Sequence, residues 1–306
     1  MPEFKNDTCP VCSKNDYKII GKPDFGNIKI EKPKNTNIVK CKNCDTIYVN
    51  PMPVWSKDDF ELLYDSEYFS GDDEIEKGWF NIRENVNTKI RYEIIKKHIR
   101  TDKKSILELG SGVYAFMCKY LLRAGEGWKI SAQEPSNALA SILKKDNPSF
   151  DIITTNFLDF PDTKKYSLIF ADSVFEHVPN PVDYFKKSYE LLEDGGILYF
   201  ISPNEHSFIN FIRTLRNKIK GSNVHYISPY VLPYHLIGYS KKGVKILAEK
   251  SGLELLEYVK KYDYFWYQAK NGKNPLRYIK VIVYWLMDAI GYGMNLEIVL
   301  RKNKTI

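Results

Sequence analysis

The sequence predicts an α/β protein: a doubly wound, mostly parallel sheet with helices on both faces, preceded by a small cysteine-bearing module. Three observations carry that expectation. Ser105–Gly112 reads S-I-L-E-L-G-S-G, an apolar run that rises into an acid and breaks on two glycines before a helical pattern begins near Tyr114. From there to Ser202, strand-like apolar runs alternate with amphipathic helical ones. Ahead of both, Cys9-Pro-Val-Cys12 and Cys41-Lys-Asn-Cys44 form two C-x-x-C pairs.

The cysteines come first in the chain. Met1–Pro10 is polar, with no apolar stretch of the kind that directs secretion, so a cytoplasmic protein is expected. In that setting four cysteines at this spacing suit one tetrahedral zinc ion better than disulfides, a redox pair being the other reading. Each knuckle offers two thiolates from a tight turn, and the metal replaces the core that a short zinc-ribbon-like module lacks. Four thiolate ligands leave no open position, which makes such a zinc structural. Lys22–Lys34, between the knuckles, reads as a protruding loop. Asp45–Pro53 reads as a strand ending on prolines, and Lys57–Phe69 has Phe60, Leu63 and Tyr64 at helical spacing. An acidic stretch near Gly71–Lys77 precedes an amphipathic helix, Thr88–Ile99, with Ile90, Ile94, Ile95 and Ile99 on its inner side.

The glycine turn after Leu109 calls for backbone conformations closed to other residues, and lets a ligand approach the main chain. The helix that follows has Phe116, Tyr120 and Leu121 as its apolar face, with Cys118 a small core residue. The next strand, Trp128–Glu134, ends on an acid. Glu134 either accepts the ribose hydroxyls of an adenosine ligand or is a surface acid before a helix capped by Ser136. A third strand, Asp151–Thr155, leads into Asn156-Phe157-Leu158-Asp159; a fourth, Tyr166–Phe170, leads into Phe175-Glu176-His177-Val-Pro-Asn-Pro181. Helix Val182–Leu192 and the turn at Asp194-Gly195-Gly196 bring the chain to a fifth strand, Ile197–Ser202.

Pro203–Gly238 interrupts the alternation. Within it, helix Ser207–Lys220 opposes Phe208, Phe211, Ile212, Leu215 and Ile219 to Arg213, Arg216 and Lys220. It is expected to be a lid packing its apolar residues on the core, with a membrane surface or a substrate diphosphate as the other readings. The insertion follows a strand's carboxyl end and carries His225 and His235, so it is placed to roof a pocket. Helix Lys241–Ser251 precedes two closing strands, Leu253–Val259 and Leu296–Leu300. Between them lie an aromatic cluster, Tyr262–Tyr267, and helix Leu276–Ile290, whose wholly apolar Val281–Met287 asks for cover but is too short to span a bilayer. The expected division is a zinc module at 1–60, a helical linker at 61–103, a core at 104–203 and 253–306, and a capping insertion at 204–252.

The 306 residues are 43% hydrophobic and 27% charged, enough for one large core and a small satellite. The net charge of +7 comes without long runs of one sign, which points to solvated faces. It leaves open phosphate-bearing small molecules, such as nucleotide sugars, or RNA. Against RNA, the cysteine module balances Lys with Asp and Glu and shows no stripe of basic and aromatic residues.

Gly110-Ser-Gly112-Val-Tyr-Ala115 can be fitted to the dinucleotide fingerprint, which makes an NAD-dependent oxidoreductase one reading. Glu108 at the strand end would repel a pyrophosphate yet could bind an ammonium, and Glu176-His177-Val-Pro-Asn-Pro181 has no role in that fingerprint. These residues, with Gln133-Glu-Pro-Ser136, resemble the class I S-adenosylmethionine-dependent methyltransferases. The C-x-x-C pairs, Y-V-N-P-M-P, L-L-Y-D-S-E-Y-F at Leu62–Phe69 and the stretch Tyr234–Leu253 resemble the zinc-bearing members of bacterial glycan and deoxysugar pathways. The resemblance implies that Glu108, Gly110 and Gly112 hold the methionine end of S-adenosylmethionine. It also places Glu134 on the ribose, and Asn156 and the Phe157 backbone at the adenine. It departs at Tyr114, where the family's turn has glycine, and at Asn156, where an acid is common. The implied activity is methylation, at oxygen in preference to carbon or nitrogen, of a sugar, nucleotide sugar or related polar small molecule, a zinc-containing RNA methyltransferase being the alternative. A hydroxyl acceptor must lose a proton, and His235 and His177 are the candidate bases; His177 could equally be a hydrogen-bonded structural residue.

Overall fold

The computed structural model describes residues 3–5, 8–23, 35–54, 86–161, 163–225, 235–261 and 276–303. The loop at 24–34, the helix expected at 57–69, the acidic stretch at 71–77 and the aromatic cluster at 262–267 lie outside them.

Among the described residues, the cysteine region holds five strands: β1 (Glu3–Lys5), β2 (Tyr17–Gly21), β3 (Asn37–Cys41), β4 (Ile47–Asn50) and β5 (Met52–Val54). The single strand expected at Asp45–Pro53 is therefore two, parted at Pro51, which has no amide hydrogen to donate. Helix α1 (Thr88–His98) leads to β6 (Ser105–Leu109), α2 (Phe116–Ala124), β7 (Lys129–Gln133), α3 (Asn137–Asp146), β8 (Asp151–Ile153), β9 (Tyr166–Asp172), α4 (Pro181–Leu191) and β10 (Leu192–Pro203). Then come α5 (Phe208–Ile219), β11 (Ile237–Gly238), α6 (Lys241–Ser251), β12 (Leu253–Lys261), α7 (Leu276–Ala289) and β13 (Asn295–Lys302).

The main sheet runs β12-β13-β10-β9-β6-β7-β8. Strands β8, β7, β6, β9 and β10 are mutually parallel, and β13 and β12 close the edge antiparallel. Strand order therefore reverses between β6 and β9, and the crevice beyond their carboxyl ends is where such sheets take ligands. Alternation sorts the two faces. Leu107, Leu109, Ile169, Ala171, Leu198 and Phe200 point into one core, and Ile106, Leu168, Phe170, Ile197 and Tyr199 into the other. On the first face Phe175 packs on Phe200 with ring centres 4.8 Å apart, and each such buried ring contributes roughly 2–3 kcal/mol.

That first core continues into the cysteine module, through Val11, Val39, Tyr48 and Val49. Strand β11, from the insertion, pairs with β4 and makes a fourth strand of the module's sheet. Helix α6 is bonded to both knuckles: Ser240, its cap, donates to the Cys44 carbonyl, and Lys250 Nζ donates to the Val11 carbonyl at 2.8 Å. A Cβ on Gly243 would stand 2.4 Å from Thr46 Oγ1, so only glycine allows α6 this close.

Three expectations about helix faces change. In α2 the inward residues are Met117, Cys118 and Leu121, while Phe116 stacks on Tyr114. The turn uses every residue through Ala115, itself left-handed at φ +41°; Leu121 is buried as expected and Tyr120 packs part-buried on the same core, so only Phe116 leaves the face. In α1 Ile94 and Ile95 are buried as expected, but so is Arg91, while Ile90 is half-buried. In α5 the residues facing the body are Asn210 and Asn217, and Phe211, Ile212, Leu215 and Ile219 are exposed. The apolar stripe of α5 is not packed on the core as a lid would be. Among the described residues no helix is long and apolar enough to cross a membrane.

Candidate functional site

The carboxyl ends of β6, β7 and β8 are tied together by side chains. Gly110 and Gly112 both have φ +55°, a conformation that glycine takes without strain. The Gly110 amide donates to Gln133 Oε1 at 3.1 Å, and the Gly112 amide donates to Glu134 Oε2 at 2.9 Å. The other oxygen of Glu134 accepts from the Ser136 amide at 2.9 Å, at the head of α3. Gln133 Nε2 reaches the Thr155 carbonyl at 3.3 Å. A Cβ on Gly110 would lie 2.7 Å from Val174 Cγ2, so the loop after β9 rests directly against this turn.

Glu108 is buried beneath the turn. Its carboxylate accepts from the amides of Cys118 at 2.7 Å and Met117 at 3.4 Å, the first free donors of α2. Burial pushes its pKa up to about 7; the nearby Asp172 adds to the rise, and the amide donors oppose it. Glu134 is likewise raised by burial, against the pull of the Ser136 and Gly112 amides. The helix terminus that takes a pyrophosphate in dinucleotide-binding folds is thus already capped by an internal carboxylate. A diphosphate would have to displace Glu108 and sit beside Asp172 and Glu134. A cation would meet carboxylates there, with Asp172 already paired to Arg91.

Asp172, the last residue of β9, belongs to a network absent from the sequence reading. Arg91, only 1% exposed, donates from Nη1 to Asp172 at 3.3 Å and from Nε to Glu297 on β13 at 3.0 Å. Tyr199 Oη donates to the second oxygen of Glu297 at 2.9 Å. The signal for Asp172 was present, since it is an acid at a strand end like Glu108. Arg91 gave none, because an arginine among isoleucines is read as solvated until its partners on distant strands are known.

Asn156 and Phe157 lie past β8 on the same edge as Glu134. Asn156 is exposed and its Oδ1 accepts from the Leu158 amide at 3.1 Å, closing the one-turn helix Phe157–Asp159. The Phe157 ring is buried against Tyr184 and Phe160.

Beyond Val174, the turn Phe175–His177 meets the chain at residues 235–239. Leu236 donates its amide to the Glu176 carbonyl at 2.8 Å, and Tyr239 Oη donates to the Phe175 carbonyl at 2.7 Å. These bonds bring His177 and His235 edge to face, with ring centres 4.8 Å apart at 82°. His177 Nε2 lies 3.9 Å from Glu176 Oε1. His235 and Glu176 are buried and His177 is half-buried. His225 is elsewhere: it pairs through its backbone with Lys22 beside β2, and burial and neighbouring cations lower its pKa to about 4.

The four N-terminal cysteines converge. Cys9 Sγ and Cys44 Sγ are 3.5 Å apart, as are Cys12 Sγ and Cys41 Sγ. Both knuckles use the same local turn: Ser13 and Asp45, each left-handed, donate their amides to the carbonyls of Cys9 and Cys41. A tetrahedral zinc–thiolate set with bonds of ~2.3 Å has edges of about 3.8 Å, so the cluster fits that ion. No pair approaches the ~2.05 Å of a disulfide.

A family profile described as a methyltransferase domain matches residues 83–258. The chain is 26% identical over 184 residues to malonyl-acyl-carrier-protein O-methyltransferase 1 of Ilyobacter polytropus, across 55% of this chain and 66% of that protein. It is 28% identical over 111 residues to an uncharacterized methyltransferase of Oceanobacillus iheyensis, across 35% of this chain and 51% of that one. The matches thus span half to two thirds of those relatives' lengths. Among solved structures, an S-adenosylmethionine-dependent methyltransferase from Clostridium acetobutylicum aligns with 12% identity and a TM-score of 0.47, covering 81% of this chain and 99% of that one.

Proposed function

This chain belongs to the methyltransferase-domain family, and from that premise we propose that it transfers a methyl group from S-adenosylmethionine to a sugar, nucleotide sugar or related polar metabolite, at oxygen. The observation that carries the reading is the set of acids at the carboxyl ends of neighbouring parallel strands, Glu108, Glu134 and Asp172. Glu108 caps α2 and Asp172 ends the adjacent strand, a setting that favours a cationic adenosine ligand over a diphosphate-linked one. The cofactor, when bound, supplies a methyl group on a sulfonium, which leaves as a neutral thioether.

The chain's own groups divide the remaining work. Glu108, Gly110 and Gly112 hold the methionine end, Glu134 takes the ribose hydroxyls, and Asn156 with the Phe157 backbone borders the adenine. A ring nitrogen of His235 takes the acceptor's hydroxyl proton as the new O–C bond forms, a contribution of about 10²- to 10⁴-fold. His177, packed edge to face on it, sets the ring's orientation. The Ilyobacter relative is by name an O-methyltransferase, in keeping with oxygen as the accepting atom. The four-cysteine cluster holds a structural zinc ion that keeps β4, and through it the strand following His235, in place.

The test is transfer of labelled methyl from S-adenosylmethionine to a panel of nucleotide sugars, free sugars and RNA. Label on a sugar hydroxyl is expected, with His235→Ala retaining cofactor binding and losing at least 100-fold in turnover. Label on RNA alone, or unchanged turnover in that variant, overturns the substrate class or the base respectively.

A further inference from the structure

Helix α5 has its sides reversed relative to an ordinary surface helix. Its buried side carries two asparagines that bond to the segments flanking the helix: Asn210 Nδ2 donates to the Glu205 carbonyl and carboxylate, and Asn217 Nδ2 donates to the Val224 carbonyl at 3.1 Å. The opposite side presents Phe211, 61% exposed, Ile219, 78% exposed, and Ile212 and Leu215 between them. At about 100° per residue, Lys218 and Arg216 flank this stripe on its two sides. Helix α5 contains no acidic residue.

A second helix also exposes an apolar stripe. On α7 the exposed residues Tyr278, Ile279, Ile282, Trp285 and Leu286 recur at helical spacing, and Trp285 is 67% exposed. The two helices share a root: the Phe208 amide that opens α5 donates to the Tyr292 carbonyl at 3.1 Å, just past the end of α7, and Asn204 Nδ2 donates to the Gly293 carbonyl at 2.6 Å. So much outward apolar surface, flanked on α5 by Arg216 and Lys218, exceeds what scattered exposure on a soluble protein requires.

We propose that α5 and α7 dock this protein on an anionic lipid bilayer, lying in the headgroup plane with the apolar stripes inserted. Charge selects this occupant. Two copies meeting through α5 would set Lys218 and Arg216 against their own counterparts, whereas anionic headgroups complement them. Neither helix is long enough to span a bilayer, so the contact is peripheral.

The test is co-sedimentation of the full chain with vesicles of phosphatidylglycerol and phosphatidylcholine in equal parts, against phosphatidylcholine alone. Binding to the anionic vesicles is expected, weakening with salt and falling roughly fivefold for each of Arg216→Gln and Lys218→Gln. Phe211→Asp with Ile219→Asp should reduce binding at least tenfold, with cofactor binding and thermal unfolding unchanged because both positions are exposed. Absence of vesicle binding overturns the proposal. So do equal binding by the aspartate variant, and concentration-dependent self-association of the vesicle-free protein that those substitutions abolish. None of these results bears on the crevice.

Discussion

At the glycine turn, carboxylates and an amide side chain meet backbone: Glu108 binds the amides of Met117 and Cys118, Glu134 those of Gly112 and Ser136, and Gln133 that of Gly110. At His177 and His235, ring meets ring, and the strand after His235 hangs on the cysteine module. The first half is fixed by strand ends and turns close in sequence or adjacent in one sheet. The second is assembled from distant stretches that only tertiary packing brings together. The halves should therefore fail separately, the acceptor side first.

Loss of the metal is the harshest way to separate them. Structural zinc supplies on the order of 10 kcal/mol to small thiolate modules. Chelation, or Cys41→Ser, should remove amide-exchange protection from residues 37–50 and 235–251 while residues 105–109 and 129–133 keep theirs. Uniform loss across both sets would mean that the halves are one cooperative unit.

Arg91→Met attacks the donor half at its one buried cation in the described network. It leaves Asp172 and Glu297 without that partner, which should cost about 3–5 kcal/mol in denaturant unfolding. Adding Glu297→Met should recover part of the loss, as a coupled pair requires. A loss below ~1 kcal/mol would show that the ion pairs are incidental.

Glu134→Gln is gentler. It replaces one of two carboxylate acceptors with an amide NH₂ facing an N–H, an expected cost of ~1–3 kcal/mol. Donor affinity should fall by about 10- to 100-fold while the acceptor KM stays near wild type; a change in acceptor KM alone would move Glu134 to the wrong side of the comparison.

An effect of similar size is a pH dependence. The fold raises the Glu108 pKa from the ordinary 4.5 to about 7, so it favours the protonated form. That contribution is whole below pH 4.5 and is lost as pH rises through 7. Between pH 5 and 8 the ligand-free wild type should lose more thermal stability than Glu108→Gln does. Bound cation should shrink the difference, because it favours the carboxylate.

Legibility followed the same division. The E-L-G-S-G turn, the acid after the second strand, the paired knuckles and the alternation of strands with helices are local patterns, and each lies where the sequence placed it. Even the antiparallel closing strands are marked by their apolar runs. What escaped was set by contacts across the chain. Arg91 carried no signal because Asp172 and Glu297 are 81 and 206 positions away. The stripe of α5 pointed to a buried face because the amphipathic pattern gives the direction of a helix's two sides but not which one the body takes. Here Asn210 and Asn217 decided it, through bonds to residues 205 and 224. The meeting of His177 with His235 depended on β11 joining the cysteine module, which two residues of strand cannot announce.

The central claim is that the crevice beyond β6 and β9 takes a cationic adenosine thioether. Titration calorimetry of the intact, metal-loaded protein with S-adenosylmethionine and, separately, with NAD tests it most directly. Saturable one-site binding of the sulfonium, weakened by Glu134→Gln, with no heat from NAD is the predicted result. Stoichiometric NAD binding that Glu134→Gln weakens, with no uptake of the sulfonium, would contradict it.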